Sequence, residues 1–360
     1  MNIKMPYKVV NLWIALILVV ALILNSCGQK HTPKSAKMPP PLVRPSIVKS
    51  PTTSESFDSL RDSISLFDLS EVIVDKGDTI VFVSVSDIDA LPGSIDSPAD
   101  SVDRLVIPSL ENKKPEETRY FILSTKYRKR LLAGTGISEA DSLFIYDYSN
   151  DVLLRFPISM LNTVASLSPY EDKSEALHSA GEYMLGFKIN RTALTGLSDF
   201  TKTFVYIGAT NPFTKGQMRP IIWEKIDPKK VPAIALKTEY AAILKGYKFS
   251  NSYNFESNGF HYYLQEYLNS ESSTSFRMLV LNTENEVIVD DLHYETESSS
   301  PAPISVLNNS KNMLEQWTGH LLKNRPPVLV GFDYISFGCP MISFVDKSHK
   351  HVDLNCDNRH

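Results

Sequence analysis

Nowhere in this 360-residue chain is there a G-x-S-x-G, an H-E-x-x-H or a G-x-x-x-x-G-K-[ST]. Those absences remove the nucleophile elbow, the zinc-protease helix and the phosphate-cradling P-loop. Cysteine is scarce, at three residues, which excludes a disulfide-dense miniature scaffold. An unbroken apolar run of the ~20 residues that spans a bilayer is also missing. The longest, Leu12 to Leu24, has 13. Nor is there a basic excess: Thr118 to His360 holds 25 bases and 26 acids, which argues against a nucleic-acid partner. No motif implies a cofactor.

What is present begins with the short apolar run. Lys4 and Lys8 precede it and "LNSC", Leu24 to Cys27, follows it. A basic start, a short apolar core and a small residue before a cut are the layout of a secretory signal, here residues 1–26. The stretch "LNSC" resembles the lipobox of bacterial lipoprotein precursors. Leu24, Ser26 and Cys27 match that pattern, and Asn25 falls at its variable position. The resemblance implies that Cys27 becomes the lipid-bearing first residue. Several acyl chains on one residue anchor a protein stably, where one does not. Gly28 rather than Asp after the Cys implies an outer-membrane destination in the cell envelope.

The charge is laid out in blocks. Residues 28–54 hold six prolines and five Lys or Arg with no acid, which predicts an extended, disordered tether. Residues 55–117 hold fifteen acids against five bases and read as a solvated acidic segment. A stable core is therefore expected to start near residue 115. Within the acidic segment, "EVIVDKGDTIVFVSV", Glu71 to Val85, carries a hairpin signal. Left exposed it would aggregate, so it should pair with itself or join a sheet.

From 118 to 360 the chain reads as mainly β, a sandwich or barrel-like set of sheets with a few short helices. Hairpins are expected at 142–156 and 276–291, and helices at 236–246 and 310–324. The second helix rests on Ser310 as N-cap and on Met313, Trp317 and Leu321 recurring every four residues. The two hairpins match in length and turn position, which suggests two related β-rich halves, 118–230 and 231–360.

Candidate binding chemistry lies in "GYKFSNSYNF", where Tyr247, Phe249, Tyr253 and Phe255 hold odd positions. Period-two alternation puts them on one face of a strand, as a sheet core or as a platform for a flat sugar ring. Glu256 and Glu266 flank the stretch and are the first carboxylates to consider for glycoside hydrolysis, which needs two acids about 5–9.5 Å apart. "DDLH", with Asp290, Asp291 and His293, could supply a metal or a base, or be a solvated strand end. No catalytic residue is assigned.

If Cys27 carries lipid, Cys339 and Cys356 remain. Beyond the inner membrane an even remainder reads as a disulfide. Two antiparallel strands turning at Lys347 and Ser348 would oppose Cys339 to Cys356 and Met341 to Leu354 on one apolar face. The rival is zinc held by these cysteines with two of His349, His351 and His360, at spacings unlike the standard zinc signatures. The reading is a surface-tethered, non-catalytic binding or assembly protein, its partners the membrane and an envelope protein or glycan. The alternative is an envelope glycoside hydrolase.

Overall fold

The computed structural model describes residues 64–73, 79–86, 107–172, 178–198, 200–271, 273–309, 313–348 and 350–356. The expected signal, Cys27, the expected tether and residues 87–106 of the acidic segment lie outside the described residues. The rest is mainly β, in three principal sheets.

A nine-stranded sheet runs in the order β10 (Met218–Pro220), β17 (Trp317–Gly319), β18 (Val328–Val330), β20 (Met341–Phe344), β21 (His351–Asn355), β1 (Leu66–Phe67), β9 (Thr203–Gly208), β5 (Ser142–Asp147) and β6 (Val152–Pro157). A five-stranded sheet has the order β2 (Ser70–Ile73), β3 (Thr79–Ser84), β8 (Tyr183–Ile189), β7 (Asn162–Leu167) and β4 (Tyr120–Ile122). A second has β11 (Glu224–Ile226), β12 (Lys248–Ser257), β13 (Phe260–Leu268), β14 (Thr274–Asn282) and β15 (Val287–His293) in sequence order. A two-stranded ribbon joins β16 (Ser299–Pro301) to β19 (Asp333–Ile335).

Alternation along single strands distributes side chains among three cores. Leu143 and Ile145 of β5 face the first five-stranded sheet with Val83, Leu185 and Phe187. Their neighbours Phe144 and Tyr146 point the other way, toward Trp317, Val330, Ile342 and Leu354. The nine-stranded sheet therefore folds its two ends over one another. Val328 and Val330 join that inner core, while Leu329 between them packs with Trp223, Tyr262 and Met278 under the second five-stranded sheet.

The seam of the large sheet is β1. Leu66 pairs with Leu354 of β21 in parallel, and Phe67 pairs with Val205 of β9 antiparallel. Leu66 is fully buried, worth roughly 2 kcal/mol. The hairpin read at 71–85 forms from β2 and β3 and also adds to the sheet through β8. The ordered body thus reaches back at least to Ile64, not to a boundary near 115–118. A division at residue 230 fails as well, because the large sheet takes strands from both sides and one unit runs from Asp58 to His360. The two hairpins exist, but their surroundings differ. β5 pairs with β9, whereas β14 lies between β13 and β15 and never meets β18. The topology does not repeat.

Just beyond the seam, burial pushes the Asp68 carboxyl up to about 6, only partly offset by the Leu69 backbone N–H. A raised acid makes stability greatest below the unfolded value near 4 and lower as pH rises through 6. The full shift would be worth about 3 kcal/mol, and partial exposure trims it to roughly 1–2. Asp68→Asn should therefore stabilise the protein at pH 7 and leave it unchanged at pH 3.5. Urea unfolding at both pH values measures this, and equal effects at both would refute it.

Three α-helices are described. α1 is Pro115–Thr118, α2 is Thr125–Thr135 and α3 is Thr238–Ile243. The last lies within the helix expected at 236–246, with Gly246 at φ 91° after it. The helix expected at 310–324 is not formed over its described part, where Trp317–Gly319 is a strand. Its stripe is split: Met313 and Leu314 are exposed while Trp317 and Leu321 enter the inner core. Gly319 was the contrary signal. It sits at φ 139°, and a Cβ there would lie 2.0 Å from the Gln217 carbonyl oxygen, just before the paired strand β10. Close strand approach, not helix, is what that glycine serves.

Cys339 and Cys356 are joined by a disulfide, with Cα atoms 5.6 Å apart. The register around them differs by one residue from the expected one. Met341 pairs with Asp353 and Ile342 with Val352. The turn is one residue longer, since Phe344 N–H donates to Lys350 O and Asp346 caps the loop through Ser348. Ile342, Val352 and Leu354 are therefore inside and Met341 is exposed. The disulfide closes the chain just past the last ladder pair.

Candidate functional site

The aromatic stretch does not make one platform. Opposite the step from Phe249 to Ser252, β13 advances from Tyr267 to Gln265, so β12 holds one extra residue. A bulge of this kind reverses the alternation. Tyr253 and Phe255 then face the core beside Tyr262 and Trp223, with Tyr253 only 6% exposed. Phe249 goes to the opposite face, edge-on to Tyr267, and Tyr247, half-buried, precedes the strand.

Glu256 and Glu266 also fail to converge. Glu256 is exposed and lies 3.0 Å from His261 Nδ1 near the turn. Glu266 accepts from Asn251 and Tyr253 at the far end of the ladder. Five residues of strand separate their positions, about 17 Å at the usual rise, well beyond a glycosidase pair.

The "DDLH" residues are split by alternation. Asp290 turns inward to Arg277, with Nε–Oδ1 at 2.9 Å and Nη2–Oδ2 at 3.0 Å. Asp291 and His293 take the opposite face, the one that packs over Leu329, and line a cavity of about 140 Å³ with Phe332, Asp333, Met341 and Ser343. His293 Nδ1 is 2.7 Å from Asp333 Oδ2, and its ring stacks on Phe332 with centroids 5.1 Å apart. An ionised carboxylate only accepts, so Nδ1 carries the proton. The other nitrogen, Nε2, is buried and has no hydrogen-bond partner among the described residues. The pair and the stacked Phe332 ring fix the orientation of His293 in the pocket wall.

Size also discriminates. Pockets for small-molecule ligands run to about 300–1,000 Å³. A cavity of about 150 Å³ holds one benzene ring. The pocket here fits one aromatic or aliphatic side chain. Around it lies the segment from Asp333 to Met341, held at its end by the disulfide, which exposes Tyr334, Ile335, Phe337 and Met341. Four large apolar side chains exposed within eight residues depart from the scattered pattern of ordinary surfaces. The sequence marked Asp291 and His293 through "DDLH" but not their neighbour Asp333, forty positions from His293, nor the rim, which reads as strand. Gly331 gave a partial signal: its φ of 78° and a Cβ position 2.1 Å from Glu315 O fix the bend that turns Phe332 and Asp333 into the pocket.

The zinc alternative loses its thiolates to the disulfide. His351 is exposed and pairs with Asp353 at 3.3 Å, while His349 and His360 lie outside the described residues. Compared with known proteins, the chain matches no protein family, no curated protein and no solved structure.

Proposed function

We propose that this protein is a lipid-anchored, non-catalytic binding or assembly protein of the bacterial cell envelope, carried by Cys27 and seated at the outer membrane. Its β body takes a protein partner by receiving one apolar side chain in the pocket walled by His293, Asp333 and Met341. The observation that carries this reading is the exposed apolar rim, Tyr334, Ile335, Phe337 and Met341, beside a socket of side-chain size. Apolar anchors at the centre of an interface contribute most of its binding energy. A glycan partner is less well supported now that the aromatic face is divided between two sides of the sheet.

The test is made in cells. A photo-crosslinking side chain placed at position 337 should give one discrete protein adduct, and Ile335→Glu should reduce it at least tenfold. The same group at position 225, exposed on β11 at the opposite edge of the sheet from β15, should give none. In the same cells Cys27→Ala should abolish lipid labelling and move the protein out of the membrane fraction. Adducts that are absent or equal at both positions refute the binding face. Membrane association unchanged by Cys27→Ala refutes the anchor.

A further inference from the structure

We propose that the protein segment taken by the socket is cationic, with Lys or Arg on either side of the apolar side chain that enters. This inference rests on the reading of the socket and its rim as a binding face, and adds the charge of what binds there. The cavity wall carries two carboxylates, Asp291 and Asp333, among Leu329, Phe332 and Met341. Asp333 is held by His293. Lys237 is within electrostatic range of Asp291, but its ammonium is held by the Asp290 backbone oxygen and the Tyr240 hydroxyl. More acids stand around the rim. Glu297 is exposed and precedes Ser298, whose carbonyl accepts from the Ser336 and Phe337 N–H groups. Asp353 lies opposite Met341 in the β20–β21 ladder, its side chain 83% exposed, with His351 at 3.3 Å. Burial and the charge of Glu315 hold the Tyr334 hydroxyl above the usual tyrosine range, which puts a further carboxylate beside the rim.

No Lys or Arg offsets these acids from within the segments that build the face. Residues 287–309, 313–322, 328–346 and 351–356 contain neither. Over Thr118 to His360 the two signs balance, 25 bases to 26 acids, so the one-sign face is a local feature. The charge decides between occupants. Exposed Tyr, Ile, Phe and Met side chains would also suit a lipid interface. An anionic lipid surface, however, draws Lys and Arg and repels these carboxylates. An acidic protein segment is repelled likewise, because like charges set against each other cost affinity and slow the encounter. A cationic segment meets both demands of the face. Its apolar residue fills the socket, and its Lys or Arg side chains lay their methylene stems along Ile335 and Phe337 while their heads reach the rim carboxylates.

The test uses the full chain in cells, with the photo-crosslinking side chain at position 337. The attached partner peptide, sequenced by mass spectrometry, should hold at least two Lys or Arg within about four residues of the attachment point and no acid there. Glu297→Lys should lower the adduct about threefold, and Glu297→Lys with Asp353→Lys about tenfold. Both positions are exposed, so the reversals leave the fold intact. Glu224→Lys, exposed on β11 at the opposite edge of the sheet from β15, should change nothing. An adduct on an acidic or uncharged protein segment, or one that survives the double reversal, overturns the cationic partner and leaves the binding face standing. An adduct on lipid, or none at all, overturns both.

Discussion

Asp290→Ala should cost about 3–5 kcal/mol of folding stability. Arg277 is 3% exposed and Asp290 8%, so truncating the acid leaves a guanidinium buried without its counter-charge. The loss extends beyond the pair. Arg277 also donates to the carbonyls of Ile234 and Ala235, at 3.2 and 2.9 Å. Lys237 Nζ and Tyr240 OH donate to the Asp290 backbone carbonyl, at 2.7 and 2.8 Å, an acceptor that the substitution keeps. Burial pulls the Lys237 ammonium down, but Tyr240 and the two aspartates outweigh it and hold it above the usual lysine value. One short segment and α3 are thereby fastened across β14 and β15. Replacing both charges, Arg277→Met with Asp290→Leu, should cost less than either single truncation, since a buried pair can give way to apolar side chains at little cost. Urea unfolding measures all three. A loss under 1 kcal/mol in Asp290→Ala would show that water reaches the guanidinium. For a protein of ordinary stability, about 5–15 kcal/mol, the expected loss removes a fifth or more.

The second large effect is expected from the disulfide. Removing both Cys339 and Cys356 should cost about 2–4 kcal/mol, near the value for closing a loop of about 18 residues. The position of the bond gives it reach beyond its own hairpin. β21 is the strand on which β1 is laid in parallel, with Asp68 N–H donating to Asn355 O. Fraying of β21 therefore loosens the seam between the two ends of the large sheet. It also releases Pro340 and Met341 from the pocket wall. Reductant should lower Tm by several degrees and open cleavage sites both after residue 350 and near residues 64–67. It should also weaken the crosslink from position 337. A Tm shift with cleavage confined to the last strand would mean that β1 is held by β9 alone.

The chemistry of individual positions was legible without coordinates. Alternating apolar residues with turn residues between them define β2–β3, β5–β6 and β14–β15, because a hairpin needs only its own two strands and a turn. Cysteine parity named the pair that is bonded. Two errors came from steps of one residue. An odd loop after Phe344 moved the β20–β21 register, and the bulge in β12 turned Phe249 away from Tyr253. Side chains repeat every two residues in a strand, so one extra residue inverts a face. Whether a turn or bulge adds that residue depends on contacts made after the strands meet.

By itself the sequence determined the mainly β character, the local hairpins, the paired cysteines and the basic and acidic charge blocks. All of these follow from neighbours within a few residues, where propensity, alternation and charge act directly. Only the tertiary structure decided the strand order, the use of Leu66 and Phe67 as the seam, the strand at Trp317, and the meeting of His293 with Asp333. Each of those depends on partners 40 to 290 positions away, such as Leu66 with Leu354. Period-two patterning states which face a residue takes but not which strand lies beside it. That choice is made by the burial gained when whole sheets close over shared cores, here through side chains from strands that are remote in the chain.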